Sequence, residues 1–166
     1  MGFSSETEKI RPIVEKYFED KNFILDYGCG NALITPTAKG IDLVSSESTS
    51  FVLEDLNQVY DFGHEKGWEN EIDGIFSSHF LEHIKFDELM LRNWISLLSK
   101  DGVLALYLPD DDHYNNDLNP EHLHRYRHLE FVREFDTRYR HLMKLINHGP
   151  DVGHDRYSFF LVAKKL

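Results

Sequence analysis

Hydrophobic positions along this chain fall into short blocks whose spacing alternates between helical and extended. Ile10, Ile13, Val14, Tyr17 and Phe18 recur at helical spacing and predict an amphipathic first helix, with Pro12 blurring where it starts. Near-continuous apolar runs at about 23–27, 39–44, 51–54, 72–77 and 103–108 predict strands of a parallel sheet covered on both faces, with helices filling the gaps. Phe86, Leu89, Met90, Trp94, Leu97 and Leu98 form one apolar stripe, ended by Lys100 and Gly102, as in a helix that feeds the fifth strand. Asn119 before Pro120 reads as a helix start, with a broken helix running to about residue 137. The last two runs, Leu142–Ile146 and Tyr157–Ala163, flank the turn-rich stretch Asn147–Arg156 and predict a closing hairpin. No repeat or composition shift divides the sequence, so residues 1–166 are expected to form a single domain.

Composition narrows the function. With 166 residues and 41% hydrophobic content, one core suffices without covalent staples. The formal charge of -11 repels a phosphate backbone, and the densest basic stretch, Arg125–Arg140, is broken by Glu130, Glu134 and Asp136, so no nucleic-acid partner is expected. No apolar run approaches the roughly 18 residues of a membrane-spanning helix, and the first twenty positions carry eight charged residues instead of an apolar signal core, which predicts a cytoplasmic protein without a membrane partner. The single cysteine, Cys29, excludes an intramolecular disulfide and reads as a small packed side chain.

The chemistry concentrates after the first strand. In F-I-L-D-Y-G-C-G-N, Phe23 to Asn31, an apolar strand delivers Asp26 to a turn with glycines at 28 and 30, where the backbone bends sharply and a ligand can approach the amides. The second strand ends on Asp42, placed by a parallel sheet beside that turn, where a carboxylate accepts hydrogen bonds from ribose hydroxyls. A nicotinamide site would normally show G-x-G-x-x-G, and position 33 is Leu33.

D-Y-G-C-G resembles the first motif of the class I S-adenosylmethionine-dependent methyltransferases, and G-I-D at 40–42 their second acidic position. The resemblance continues in order through Asp55-Leu56-Asn57, I-D-G-I-F-S-S-H-F-L-E-H-I at 72–84 and L-L-S-K-D-G-V-L-A-L-Y-L-P at 97–109, and covers roughly residues 21–135. It implies an α/β, Rossmann-like three-layer sandwich with a mostly parallel sheet and a C-terminal antiparallel hairpin. It also implies S-adenosyl-L-methionine as cofactor, held by Asp26, Tyr27, Gly28, Cys29, Gly30, Asp42, Leu43, Asp55, Leu56, Ser77, Ser78 and His79. Within that set the turn amides would meet the methionine carboxylate, Asp26 would orient the turn and the amino group, Asp42 would take the ribose and Asp55 the adenine amino group. Two departures stand out. The link Asn31–Lys39 is short and contains Thr35, Pro36 and Thr37, leaving room for a turn or two of helix at most, and Ala32 stands where many members have a third glycine. The short link, D-L-N and S-H-x-L-E-H are similar to a small subgroup found among polysaccharide and surface-sugar biosynthesis enzymes, which implies a small-molecule or glycan acceptor.

Histidine is the side chain best suited to take a proton from an acceptor hydroxyl near neutral pH. His79 follows the fourth strand, and His122 lies in N-P-E-H, which looks like the D-P-x-H of the sugar-associated subgroup; both are candidate catalytic bases. His79-Phe80-Leu81-Glu82-His83 also satisfies H-x-x-E-H, the inverted zinc-peptidase signature. That chemistry needs both histidines in one helix and a third ligand, whereas His79 directly follows a strand, so no metal ligand is assigned. Asp110, Asp111 and Asp112 match no calcium-loop spacing and read as solvated loop residues lining the same cleft. A methyltransferase-like binding module without catalysis is the runner-up reading, and the sequence leaves the oligomeric state open.

Overall fold

The computed structural model describes residues 6–150 and 157–166. Seven strands form one sheet: β1 (Ile24–Tyr27), β2 (Lys39–Asp42), β3 (Thr49–Val52), β4 (Ile72–Ser78), β5 (Leu98–Pro109), β6 (Met143–Pro150) and β7 (Ser158–Lys165). Their order is β3-β2-β1-β4-β5-β7-β6. The first five pair in parallel, and β7 enters antiparallel between β5 and β6. The hairpin expected at the C-terminus is therefore present, and its turn lies outside the described residues.

The two faces are covered unequally. On one, the helices α2 (Phe62–Glu65), α3 (Asp87–Leu97) and α4 (His128–Tyr139) bury a large core around Trp94, Leu104, Phe131 and Phe159. On the other, α1 (Glu6–Val14) packs Ile10 and Val14 onto Ile24, Phe76, Ala105 and Tyr107. Pro12 lies inside α1 near its end, where the helix gives way to a 3-10 turn over Glu15–Tyr17.

No helix joins β1 to β2 or β2 to β3, although helices are expected in such gaps. The short link after β1 instead lays Ile34 and Ala38 on the sheet in place of helical packing. A parallel crossover normally needs a dozen or more residues. Here residues 43–48 suffice, because β2 and β3 are four residues each and the return path is correspondingly short.

Two boundaries differ from the sequence expectation. The helical stripe ends at Leu97, and the glycine turn after it becomes an irregularity inside a long β5, with Asp101 at φ 65° and the register shifting between Ile72 and Gly74 on the neighbouring strand. Asn119-Pro120 does not start a helix. Asn119 Oδ1 accepts from Glu121 N and its carbonyl from His122 N at 3.1 Å, but Leu123 N and His124 N donate to the Glu82 carbonyl at 2.8 and 3.2 Å, so the segment is held as a loop until α4 begins at His128. Among the described residues no helix is long and apolar enough to cross a membrane.

Candidate functional site

Because β1, β2, β4 and β5 are parallel, their carboxyl ends open on one edge of the sheet, and the strand order reverses between β1 and β4. Ligands of open α/β sheets bind at such a reversal. β7 runs the other way, so its first residue, Ser158, pairs with Pro109 at that same edge.

The glycine turn stands at the mouth of β1. Gly28 and Gly30 have φ of 72° and 52°, left-handed values that side chains other than glycine rarely adopt. A Cβ on Gly28 would also sit 2.7 Å from the Phe80 side chain, whereas one on Gly30 would meet open space. Gly28 N and Cys29 N donate to the Ile41 carbonyl at 2.8 and 3.4 Å, and Gly30 N donates to Asp42 Oδ2 at 2.9 Å. All three turn amides, expected to meet a methionine carboxylate, are thus engaged by acceptors of the protein itself. Asp26 is fully buried; its Oδ2 accepts from Ile34 N at 2.7 Å, and Oδ1 has no hydrogen-bond partner among the described residues. Burial pushes its carboxyl up to about 8, against the bond from Ile34 and the nearby Arg11 charge.

The remaining residues expected around a cofactor divide into surface and core. Asp42 is half-buried, and its Oδ1 accepts from Val44 N at 3.1 Å. Leu43 is exposed beside it. Asp55 is exposed and caps the 3-10 turn Leu56–Val59 by accepting from Asn57 N at 2.6 Å, with Leu56 half-buried behind it. Tyr27 points into the core against Trp94, ring centroids 5.2 Å apart. Cys29 is buried near Ser48 and Thr49, and burial pushes its thiol up to about 12, so it is a packed residue and not a nucleophile. Ser77 and Ser78 are buried, with both hydroxyls unpartnered among the described residues.

The exit of β4 gathers several polar side chains. His79 is left-handed at φ 47°, a conformation that bends the chain abruptly as it leaves the strand. Its Nε2 lies 2.9 Å from Ser158 Oγ, and its Nδ1 3.6 Å from Glu82 Oε1. Burial holds the His79 imidazole down at about 3, hence neutral, and pushes the Glu82 carboxyl up to about 8. Lys9 and Tyr157 flank the group: Lys9 Nζ donates to the Tyr157 hydroxyl at 2.5 Å, and Tyr157 donates to Glu6 at 2.7 Å. His122 arrives from the loop after β5. Its Nδ1 donates to Asn116 Oδ1 at 2.6 Å and its Nε2 accepts from Asn119 Nδ2 at 2.9 Å. Its ring stacks on Tyr114 and meets His83 edge-on, 4.8 Å between centroids. Burial lowers the His122 pKa as well.

Several polar residues at this edge escaped the sequence pattern. Glu82, His83, Ser158 and Tyr157 join the two expected histidines. The H-x-x-E-H signature was the visible signal for the first two, and its helical reading does not hold: His79 is a bend directly after β4 and Leu81–His83 form a single 3-10 turn, not the continuous helix that a zinc peptidase requires. The acidic loop disperses. Asp110 accepts from the first amide of α4 at 3.4 Å, Asp111 from Asn116 Nδ2 at 2.7 Å, and Asp112 pairs with Arg127 at 3.3 Å.

Comparison with known proteins places this architecture. No protein-family model matches the chain, and no curated protein matches it. Solved structures do. A SAM-dependent methyltransferase from Archaeoglobus fulgidus superposes with TM-score 0.66 at 15% identity, over 96% of this chain and 94% of that one. The fold is that of the SAM-dependent methyltransferases. Burkholderia thailandensis 1,6-didemethyltoxoflavin-N1-methyltransferase, solved with 1,6-didemethyltoxoflavin and S-adenosylhomocysteine, gives TM-score 0.66 at 12% identity, covering 97% of this chain and 78% of that one. The N-methyltransferase NodS from Bradyrhizobium japonicum WM9, in complex with S-adenosylhomocysteine, gives 0.64 at 13%, covering 96% and 85%.

Proposed function

We propose that this chain is a cytoplasmic S-adenosylmethionine-dependent methyltransferase acting on a small-molecule or sugar hydroxyl. The observation that carries the reading is the meeting, at one sheet edge of this fold, of a glycine turn with an acidic β2 end and two half-buried, neutral histidines. Its residues fit the cofactor. Asp42 uses one acceptor position on each oxygen and keeps further lone pairs for ribose hydroxyls. The unpartnered buried atoms Asp26 Oδ1, Ser77 Oγ and Ser78 Oγ want polar company, and open space above Gly30 admits a ligand. Asp55, exposed after β3, is read as the acid for the adenine amino group, as the resemblance implies. When bound, the cofactor supplies a methyl group on a sulfonium, already a good leaving group. The protein's task is then to orient the acceptor, exclude water and remove a proton.

His79 and His122 are the proton acceptors of this reading. Both are neutral at pH 7 and each has a lone pair to offer, but the burial that holds His79 down at about 3 makes it a weak base. Asn116 fixes the His122 tautomer, leaving Nε2 as the basic atom. The sugar acceptor rests on the likeness of S-H-F-L-E-H and N-P-E-H to the surface-sugar subgroup. Methyl transfer from S-adenosylmethionine to a panel of glycans and small hydroxylated acceptors tests it. We expect product with wild type, and with His122→Gln, a position outside the residues expected to hold the cofactor, an S-adenosylhomocysteine affinity unchanged but turnover lower by roughly 10²-fold or more. Cofactor binding without any methylated product across the panel would favour a binding module instead.

A further inference from the structure

Glu82 is fully buried, and neither of its carboxylate oxygens has a hydrogen-bond partner among the described residues. Leaving a polar group so placed costs on the order of 1–3 kcal/mol even when neutral, so buried carboxyl groups usually face donors, water or an ion. This one faces three imidazole rings, of which His79 presents Nδ1 at 3.6 Å, beyond hydrogen-bond reach. His83 Nε2 and His122 Nε2 each lie 3.9 Å from Glu82 Oε1. Both rings are oriented by the same device. His83 Nδ1 is 3.0 Å from the Glu121 carbonyl, and His122 Nδ1 is 2.6 Å from Asn116 Oδ1, whose amide is fixed by its own bond to Asp111. Carbonyl oxygens only accept, so in each ring Nδ1 carries the hydrogen and Nε2 presents a lone pair towards the carboxylate. Histidines that ligate metals are held in this way, through an acceptor on the far nitrogen.

We propose that Glu82, His83 and His122 form a binding site for a first-row divalent transition-metal ion, with zinc as the test ion. Their ligand atoms lie within 4.8 Å of one another. Two imidazole nitrogens and one carboxylate oxygen are a donor set that holds such ions while leaving a coordination position open. Bonds of about 2.0–2.1 Å place tetrahedral donors roughly 3.4 Å apart, so each 3.9 Å spacing closes by about half an ångström on binding. The Asn119 amide, which donates to His122 Nε2 at 2.9 Å, is released as the ion takes that lone pair. This is not the inverted zinc-peptidase arrangement: the glutamate is a ligand, His79 is not, and the third ligand comes from a distant loop. An ion here would favour the deprotonated form of an acceptor oxygen and leave His79 as the proton acceptor; that role rests on the methyl-transfer reading, whereas binding of the ion does not.

The full chain, stripped with a chelator, is titrated with Zn²⁺ alone in competition with a chromophoric chelator. One equivalent is expected, weakened roughly 100-fold or more by Glu82→Gln and by His83→Gln. His148→Gln, which breaks the exposed His128–His148 pair at 3.0 Å, is expected to leave it unchanged. Circular dichroism verifies folding; if Glu82→Gln unfolds, His83→Gln decides alone. Absence of a one-equivalent site, its survival in His83→Gln, or its loss in His148→Gln overturns the proposal. S-adenosylhomocysteine calorimetry on the same samples separates the two readings: cofactor without zinc sinks only the metal site, and zinc without cofactor sinks only the methyltransferase.

Discussion

Gly28 and Gly30 share a left-handed backbone but not the same reason for being glycine. An alanine at either position meets the left-handed penalty of about 1–2 kcal/mol. Only at Gly28 does the new methyl also strike a side chain close to its backbone attachment, 2.7 Å from Phe80 Cβ, where little can move. Urea denaturation should therefore find Gly28→Ala destabilised by about 2–4 kcal/mol and Gly30→Ala by about 1. Equal losses would mean that Phe80 does not brace the turn. Asp42 is tested by affinity. Removing its carboxylate in Asp42→Ala deletes charge-assisted bonds worth on the order of 1.5–3 kcal/mol each, so calorimetry should show S-adenosylhomocysteine bound at least tenfold more weakly. Unchanged binding in a folded protein would point to another carboxylate. At this scale the sequence was legible where local backbone demands a residue type, as at Gly28, Gly30 and the strand-end Asp42. It showed Glu82 and His83 only within a zinc-peptidase signature and was silent on their meeting with His122, because that contact spans some forty positions and depends on backbone bonds from Leu123 and His124 to the Glu82 carbonyl.

The link between β1 and β2 does without the helix that normally stiffens it, and Asp26 is what anchors it. Its Oδ2 holds Ile34 N from inside the sheet, so a buried acid serves where helical packing is missing. With its pKa raised to about 8 from 3.8, the folded protein binds the Asp26 proton more tightly than the unfolded chain does. That contribution to stability is complete below about pH 4 and is lost as pH rises to about 8. Asp26→Asn keeps an oxygen for Ile34 without an ionising group. Its stability relative to wild type should climb between pH 4 and pH 8, by on the order of several kcal/mol, and level off above. A pH-independent difference would mean that Asp26 titrates normally. The elements misread from sequence have comparable causes: Asn119-Pro120 is a sound local helix signal, but the Glu82 carbonyl claims the next amides and keeps the segment extended.

Across the whole molecule, parallel strands bring the cradle and the histidines to one edge, and the antiparallel β7 delivers Ser158 to the same place. This convergence was predictable from the alternation of apolar runs, since a parallel sheet leaves its loops few other places to gather. The thinness of the α1 face was not, because neither the lost β2–β3 helix nor the use of Ile34 and Ala38 as a substitute follows from periodicity. A nucleoside ligand that binds across β1, β2 and β4 ties these thinly covered strands together, and ligand binding to the folded form alone stabilises it by RT ln(1 + [L]/Kd). At a hundredfold excess over Kd this is about 2.7 kcal/mol, which raises the melting temperature of a domain of this size by roughly 5–10 °C. S-adenosylhomocysteine should produce that shift, and NAD at the same concentration none, because the chain has Leu33 where a dinucleotide turn has its last glycine. The reverse ranking would overturn the cofactor assignment, and with it the reading of Asp42 and Asp55 as its two anchoring acids.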